Sequence, residues 1–121
     1  MTTASPMPDP QDLLPLTPAV FHILLALADG EKHGYAIMQE VEEATDGAVR
    51  MGPGTLYGSL DRMLKNALIE ESPERAEPTT DDKRRRYYRL SDFGRKLLSA
   101  ETARLTQAVR RARAKRILSP A

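Results

Sequence analysis

MGPGTLYGSLDRMLKNALI (Met51–Ile69), followed further on by KRRRYYRL (Lys83–Leu90), decides how this chain folds. Pro53 suits the first turn of a helix, where its missing N–H is not needed. At about 100° per residue, Leu56, Leu60, Met63 and Leu64 fall on one stripe, and Thr55, Gly58, Arg62 and Lys65 fall on the opposite side. The first stripe belongs to a core, and the second is free to meet a partner. Leu68-Ile69 then leads into a short strand ending near Pro73. Glu74–Asp82, with Pro78 and the Thr79-Thr80 pair, reads as a hairpin loop, and Arg84–Leu90 returns as a second strand. Two strands this short do not stand alone, so they must pack on helices.

Helices are legible on both sides. Thr17 can cap a first helix with Pro18 at its first position, and Val20, Ile23, Leu24 and Leu27 recur at helical spacing until Gly30, giving a helix over about 17–29. His33-Gly34 opens a second helix with Tyr35, Ile37, Met38 and Val41 apolar, and Asp46-Gly47 ends it. Ser91 caps the last helix, which runs to about Ile117. Its apolar seam of Leu98, Leu105, Ala108, Val109 and Ala112 is narrow and flanked by Arg104, Arg110, Arg111, Arg113, Lys115 and Arg116. A long helix with so little apolar width needs a partner, most simply its own copy about a two-fold axis. Residues 1–15, rich in proline and small polar groups, read as a disordered arm. The expected organisation is therefore an arm (1–15), a DNA-binding winged helix-turn-helix (16–90) and a dimerisation helix (91–118). The fold class is mainly α with a small two-stranded antiparallel ribbon.

The 121 residues suffice for one domain with a modest core. There is no cysteine, which excludes disulfides and thiolate chemistry, and no apolar run approaches the roughly 20 residues of a membrane helix. The N-terminus lacks the pattern of a secretory signal, so a cytoplasmic location is expected. The net charge of +1 is unevenly spread. Through Asp82 there are 5 Lys/Arg against 15 Asp/Glu; from Lys83 onward there are 13 against 2. A basic half can serve as a footprint for phosphates, or the two halves can simply attract one another. The two histidines, His22 and His33, are not accompanied by carboxylates at metal-ligand spacing, so neither a metal site nor a cofactor is expected. No Gly-rich phosphate loop or paired-carboxylate motif supports catalysis.

Three strings in order, HGYAI (33–37), PGTLYGSLDRMLKNALI (53–69) and RRRYYRLSDFGR (84–95), make the chain resemble the PadR family of transcriptional regulators over about residues 16–109. The likeness is to its short branch, which has a single C-terminal helix. It implies a homodimer on double-stranded DNA, with the third helices in adjacent major grooves, the ribbons on flanking minor groove or backbone, and the last helices forming the dimer interface. Repression is the family's usual mode. Its responses to phenolic acids, drugs or antibiotics open ligand control by a small aromatic effector, with a pocket between the last helix and helix one lined by Leu98, Leu105 and Val109. Two departures stand out. Gly58 replaces the proline that many relatives carry after the Leu-Tyr pair, and the absence of tryptophan removes the drug sandwich of some short members.

On these grounds the candidate DNA-binding residues are Thr55, Tyr57, Ser59, Arg62 and Lys65 on helix three and Lys83, Arg84 and Arg86 near the ribbon tip. Thr55 lies in a first turn that favours a phosphate oxygen. Ser59, Arg62 and Lys65 are expected to project outward; Arg62 can meet a phosphate or a guanine edge. Tyr57 can pack, reach the backbone, or both. Tyr87 and Tyr88 should divide between core and exposed edge, and the resemblance of HGY implies that Tyr35 anchors helix two, with contact to the DNA backbone as the alternative. His22 is expected at the rim of the core. A winged-helix protein-interaction module that does not read DNA is the alternative function.

Overall fold

In the computed structural model, which describes residues 9–72 and 86–119, helix starts follow the local capping signals. A 3-10 turn (Pro10–Leu13) precedes α1 (Pro18–Ala26), β1 (Lys32–His33), α2 (Gly34–Ala44), α3 (Pro53–Lys65), β2 (Ile69–Glu71), β3 (Tyr87–Leu90) and α4 (Asp92–Ala114). The Thr17 hydroxyl accepts from the Val20 amide at 3.2 Å, and the Ser91 hydroxyl accepts from the Gly94 amide at 2.9 Å. His33 caps α2 with a ring nitrogen, Nδ1 accepting from the Ala36 amide at 3.1 Å, which requires that nitrogen to carry no proton.

The sheet has three strands, ordered β1-β3-β2 and antiparallel throughout, instead of the two-stranded ribbon expected. β1 is only two residues long and pairs Lys32 with Tyr88 and His33 with Tyr87. On the inner face Tyr88 is fully buried beside Lys32, whose ammonium donates to the Ala26 carbonyl at 2.6 Å and pairs with Asp29 and Glu40. Burial opposes that charge, but the hydrogen bond it donates to Asp29 and the field of Glu40 outweigh it and hold the lysine pKa above its ordinary value. Burial, and then the Glu71 carboxylate, push the Tyr88 phenol up to about 12. On the outer face Tyr87 meets His33 edge-on, with ring centroids 5.5 Å apart.

The core draws on every helix: Ile23, Leu24 and Leu27 of α1 and its end, Ile37 and Val41 of α2, Leu56, Leu60 and Met63 of α3, Leu97 and Leu98 of α4, with Leu68, Ile69 and Tyr88 from the sheet side. Each fully buried leucine or isoleucine contributes about 2 kcal/mol of transfer free energy. α4 is locked to the end of α3 at its first turn. The Ser91 hydroxyl donates to the Ala67 carbonyl at 2.6 Å, and the Ser91 amide reaches the Leu68 carbonyl at 3.2 Å. Gly94 lies so close that a Cβ there would overlap the Leu68 carbonyl oxygen. Ala67 itself takes a positive φ of 62°, which lets the chain leave α3 and enter β2 directly.

The N-terminal segment departs from expectation. From Asp9 onward it is structured: Asp9 caps the 3-10 turn, which packs across α4. The Leu16 amide donates at 2.9 Å to Glu101, a carboxylate that is 2% exposed. Glu101 interrupts the apolar stripe of α4, and it is satisfied by that amide and by Arg104 at 2.5 and 3.1 Å. The arginine's hydrogen bonds hold the Glu101 pKa below the ordinary glutamate value despite burial. Residues 1–8, the first half of the expected arm, lie outside the described residues, as does the expected hairpin loop Glu74–Asp82. Among the described residues, no helix is long and apolar enough to cross a membrane, and no group of histidines and carboxylates could hold a metal ion.

Candidate nucleic-acid interface

α3 turns Leu56, Leu60 and Met63 inward and leaves Thr55, Arg62 and Lys65 exposed on its other side, with Gly58 half-exposed between them. Its N-terminus is bare. Gly52 offers no side-chain cap, Pro53 has no amide to satisfy, and the first intrahelical bond runs from the Leu56 amide to the Gly52 carbonyl at 2.9 Å. The amides of Gly54 and Thr55 therefore receive no side-chain cap, and side chains added at Gly52 or Gly54 would point into open space. Free amides and the positive end of a 13-residue helix favour an anionic oxygen at this point.

Two of the five expected α3 residues do not sit on that outer face. Ser59 is 5% exposed, and its hydroxyl accepts from the Arg62 guanidinium at 3.2 Å. It lies about 60° around the helix from Leu56, near enough to the core stripe for a small side chain to be covered. Ser59 thus supports Arg62 rather than projecting outward. Tyr57 is half-buried over the start of α2: a Cβ on Gly34 would come within 2.5 Å of its hydroxyl oxygen, so only glycine admits the ring there. The HGY and TLY motifs meet at this contact, which the spacing in sequence could not reveal.

The ribbon carries its charges in pairs. Arg89 and Glu70, directly opposite in the ladder, bond at 3.2 Å, and Arg86 lies 3.8 Å from Glu71. Arg86 is therefore shared between a neighbouring carboxylate and any external anion. Lys83 and Arg84 fall outside the described residues. Tyr87 and Tyr88 divide between core and edge as expected, and the structure makes Tyr88 the core member and Tyr87 the half-exposed one. His22 is half-buried, edge-on to Phe21 at 5.2 Å, at the rim of the core.

Tyr35, expected to anchor α2, is instead 52% exposed, because Tyr57 already covers the first turn of that helix. It lines a shallow groove with Arg50, Met51 and Gly52, which brings a phenol to the bare N-terminus of α3. The anchoring role implied by the HGY resemblance is therefore not what this exposed ring performs.

On α4, Leu98 is already buried in the chain's own core, whereas Leu105 and Ala112 are half-buried and Ala108 and Val109 exposed. The stripe that packs inward through Leu97 thus continues past Glu101 onto a surface that opens to solvent at Ala108 and Val109. Leu25 of α1, 45% exposed, adds an apolar side chain on the adjoining surface, where it lines a groove with Leu98, Thr102, Thr106 and Arg110. Leu105 and Val109 do not line that groove, contrary to the expected effector pocket.

Residues 23–100 match the model of the Transcriptional regulator PadR-like family. The chain is 33% identical over 89 residues to the transcriptional regulator Rv3488 of Mycobacterium tuberculosis, covering 74% of this chain and 77% of that protein. It is 39% identical over 79 residues to an uncharacterized 37.1 kDa protein in transposon TN4556 of Streptomyces fradiae, covering 65% of this chain but only 20% of that protein's length. Among solved structures, the fold is shared with Bacillus subtilis PadR, crystallised in complex with operator DNA, at a TM-score of 0.58 and 22% identity over 71% of this chain and 46% of that one.

Proposed function

This chain belongs to the PadR-like family of transcriptional regulators, and from that premise we propose that it binds double-stranded DNA as a homodimer and represses transcription from a pseudo-palindromic operator. Members of the family are transcriptional regulators, not enzymes. The observation that carries the proposal is the outer face of α3: Thr55, Arg62 and Lys65 stand exposed behind a bare, anion-accepting N-terminus, on a helix held rigid by three buried core residues. Thr55 and the first-turn amides would take a phosphate, Arg62 steadied by Ser59 a guanine edge or phosphate, and Lys65 a phosphate at the far end. Tyr57 and Ser59 would act by positioning. Arg86, with Lys83 and Arg84, would supply the ribbon's contacts to the flanking backbone. The residues about 16–90 form the DNA-binding unit in this proposal, and a cytoplasmic location follows from its task.

The continuation of the α4 stripe, open to solvent at Ala108 and Val109, supports dimerisation, with Leu105, Ala108, Val109 and Ala112 meeting their symmetry mates and Leu98 contributing from the edge of the core. Two α3 helices would then address half-sites about 34 Å apart. Val109→Glu and Leu105→Glu should give folded monomers in sedimentation experiments at concentrations where the parent is dimeric. Dimers of unchanged stability in both variants would remove this face from the interface.

The proposal is tested by titrating the protein against its own upstream region and a scrambled duplex of equal length. Preference by about a thousandfold marks a specific operator. Equal binding to both would leave only nonspecific affinity, and no binding would favour a protein-interaction module.

A further inference from the structure

An open cleft of about 530 Å³ runs between the N-terminal segment, α1, the α3–β2 turn and α4. One wall is Leu13 and Leu16 of the N-terminal segment, and the floor is Val20, Leu68 and Leu97. All are aliphatic. Among the described residues, neither an aromatic ring nor a carboxylate lines the cleft. The charged residue in the described lining is Lys65, the last residue of α3, followed by Asn66. Lys65 is exposed and forms no ion pair among the described residues.

We propose that this cleft binds an aliphatic monoanion, an acyl chain ending in a carboxylate, with the chain between Leu13, Leu16, Val20 and Leu97 and the carboxylate on Lys65. The volume lies in the range of small-molecule sites, and an apolar lining with one convergent polar group is their usual chemistry. One wall residue, Leu16, is held to α4 through its amide on Glu101, a carboxylate that does not itself line the cleft. Occupancy would have a consequence at α3. The carboxylate neutralises a lysine that, on the function proposed above, meets a DNA phosphate. Ligand and DNA would compete for Lys65, and reciprocity requires each to weaken the other.

The test uses the full chain and decanoate, kept below its micelle concentration, by calorimetric titration and thermal melting without DNA, with decanol as the uncharged comparison. Decanoate at about tenfold excess over its Kd should raise the melting midpoint by about 5 °C, and decanol should bind more weakly. Lys65→Ala and Leu13→Glu, both at exposed positions, should each weaken decanoate by about threefold or more while leaving the unliganded melting midpoint unchanged; Arg110→Ala, outside the cleft, should leave binding intact. Absence of decanoate binding, or binding indifferent to Lys65→Ala and Leu13→Glu, overturns the proposal. This readout needs no DNA. If decanoate binds as stated and no operator is found, the cleft stands and the DNA reading falls; if an operator is bound but decanoate is not, the reverse holds. Where both bind, decanoate should weaken the parent's operator binding but not that of Lys65→Ala, and equal weakening of the two would refute the shared lysine.

Discussion

Replacing Gly94 by alanine puts local propensity and tertiary packing in direct opposition. Glycine inside a helix costs about 1 kcal/mol relative to alanine, so propensity alone predicts that Gly94→Ala stabilises α4. The structure predicts the other sign. A Cβ at Gly94 would overlap the Leu68 carbonyl oxygen and come within 3.3 Å of the Ser91 hydroxyl. The colliding atom is backbone, held in place by the Ser91 amide at 3.2 Å, and the hydroxyl is the α4 cap, bonded to the Gly94 amide at 2.9 Å and to the Ala67 carbonyl at 2.6 Å. Neither can move without breaking a hydrogen bond. Overpacking costs about 1–3 kcal/mol, and losing the cap about another 1 kcal/mol. After the gain in propensity, a net loss of about 2 kcal/mol remains, or about 8 °C in melting midpoint for a chain of this size. Gly58→Ala is the matched control: its Cβ would meet only the tip of Arg62 at 3.6 Å, so alanine there should stabilise by about 0.5–1 kcal/mol. Urea denaturation followed by circular dichroism, at one fixed protein concentration, measures both. A Gly94→Ala protein as stable as the parent would refute the close packing of α4 on the α3–β2 turn.

Two further stability predictions come from the neighbouring elements. Ala67 holds a φ of 62° that only glycine adopts at no cost, so Ala67→Gly should stabilise by about 0.5–1 kcal/mol in the same urea assay; destabilisation would mean that the turn is not left-handed. Glu101 has a folded-state pKa below its ordinary value, chiefly through its hydrogen bonds with Arg104, so its contribution is fully present above the unfolded pKa and is lost as pH falls through the depressed folded value. The acid limb of a stability–pH profile should therefore be shallower in Glu101→Gln than in the parent, while an identical limb would show that the carboxylate does not hold Leu16 and Arg104 as described.

What was legible in the sequence is what local chemistry determines. Thr17, Pro18, Pro53 and Ser91 set helix starts through groups within one turn of themselves, and the Leu56, Leu60 and Met63 stripe follows from helical geometry alone. The missed features depend on residues distant in the chain. β1 is two residues with no alternation to read, and its partners lie on β3, far along the sequence. The burial of Ser59 and the docking of Tyr57 on Gly34 require knowing where α2 crosses α3. Residues 9–16 are tied down in part by Glu101, a buried glutamate on α4 that is not among the seam residues read from the sequence. At the candidate interface, Thr55, Arg62 and Lys65 lie where the helical wheel placed them, whereas Arg86 already has a carboxylate neighbour in Glu71, because cross-strand register cannot be read without the turn that sets it.

The most direct test of α3 as the DNA-reading surface is the salt dependence of operator binding in the parent, Arg62→Ala and Lys65→Ala. Each phosphate contact releases counterions and contributes about 0.9 to the slope of log affinity against log salt. In a symmetric dimer, Lys65→Ala should therefore flatten that slope by about 1.8, and Arg62→Ala should either flatten it likewise or relax preference at one base of each half-site. Operator binding with parental slope and parental sequence preference in both variants would contradict the account, because it would place the DNA on a surface other than the exposed face of α3.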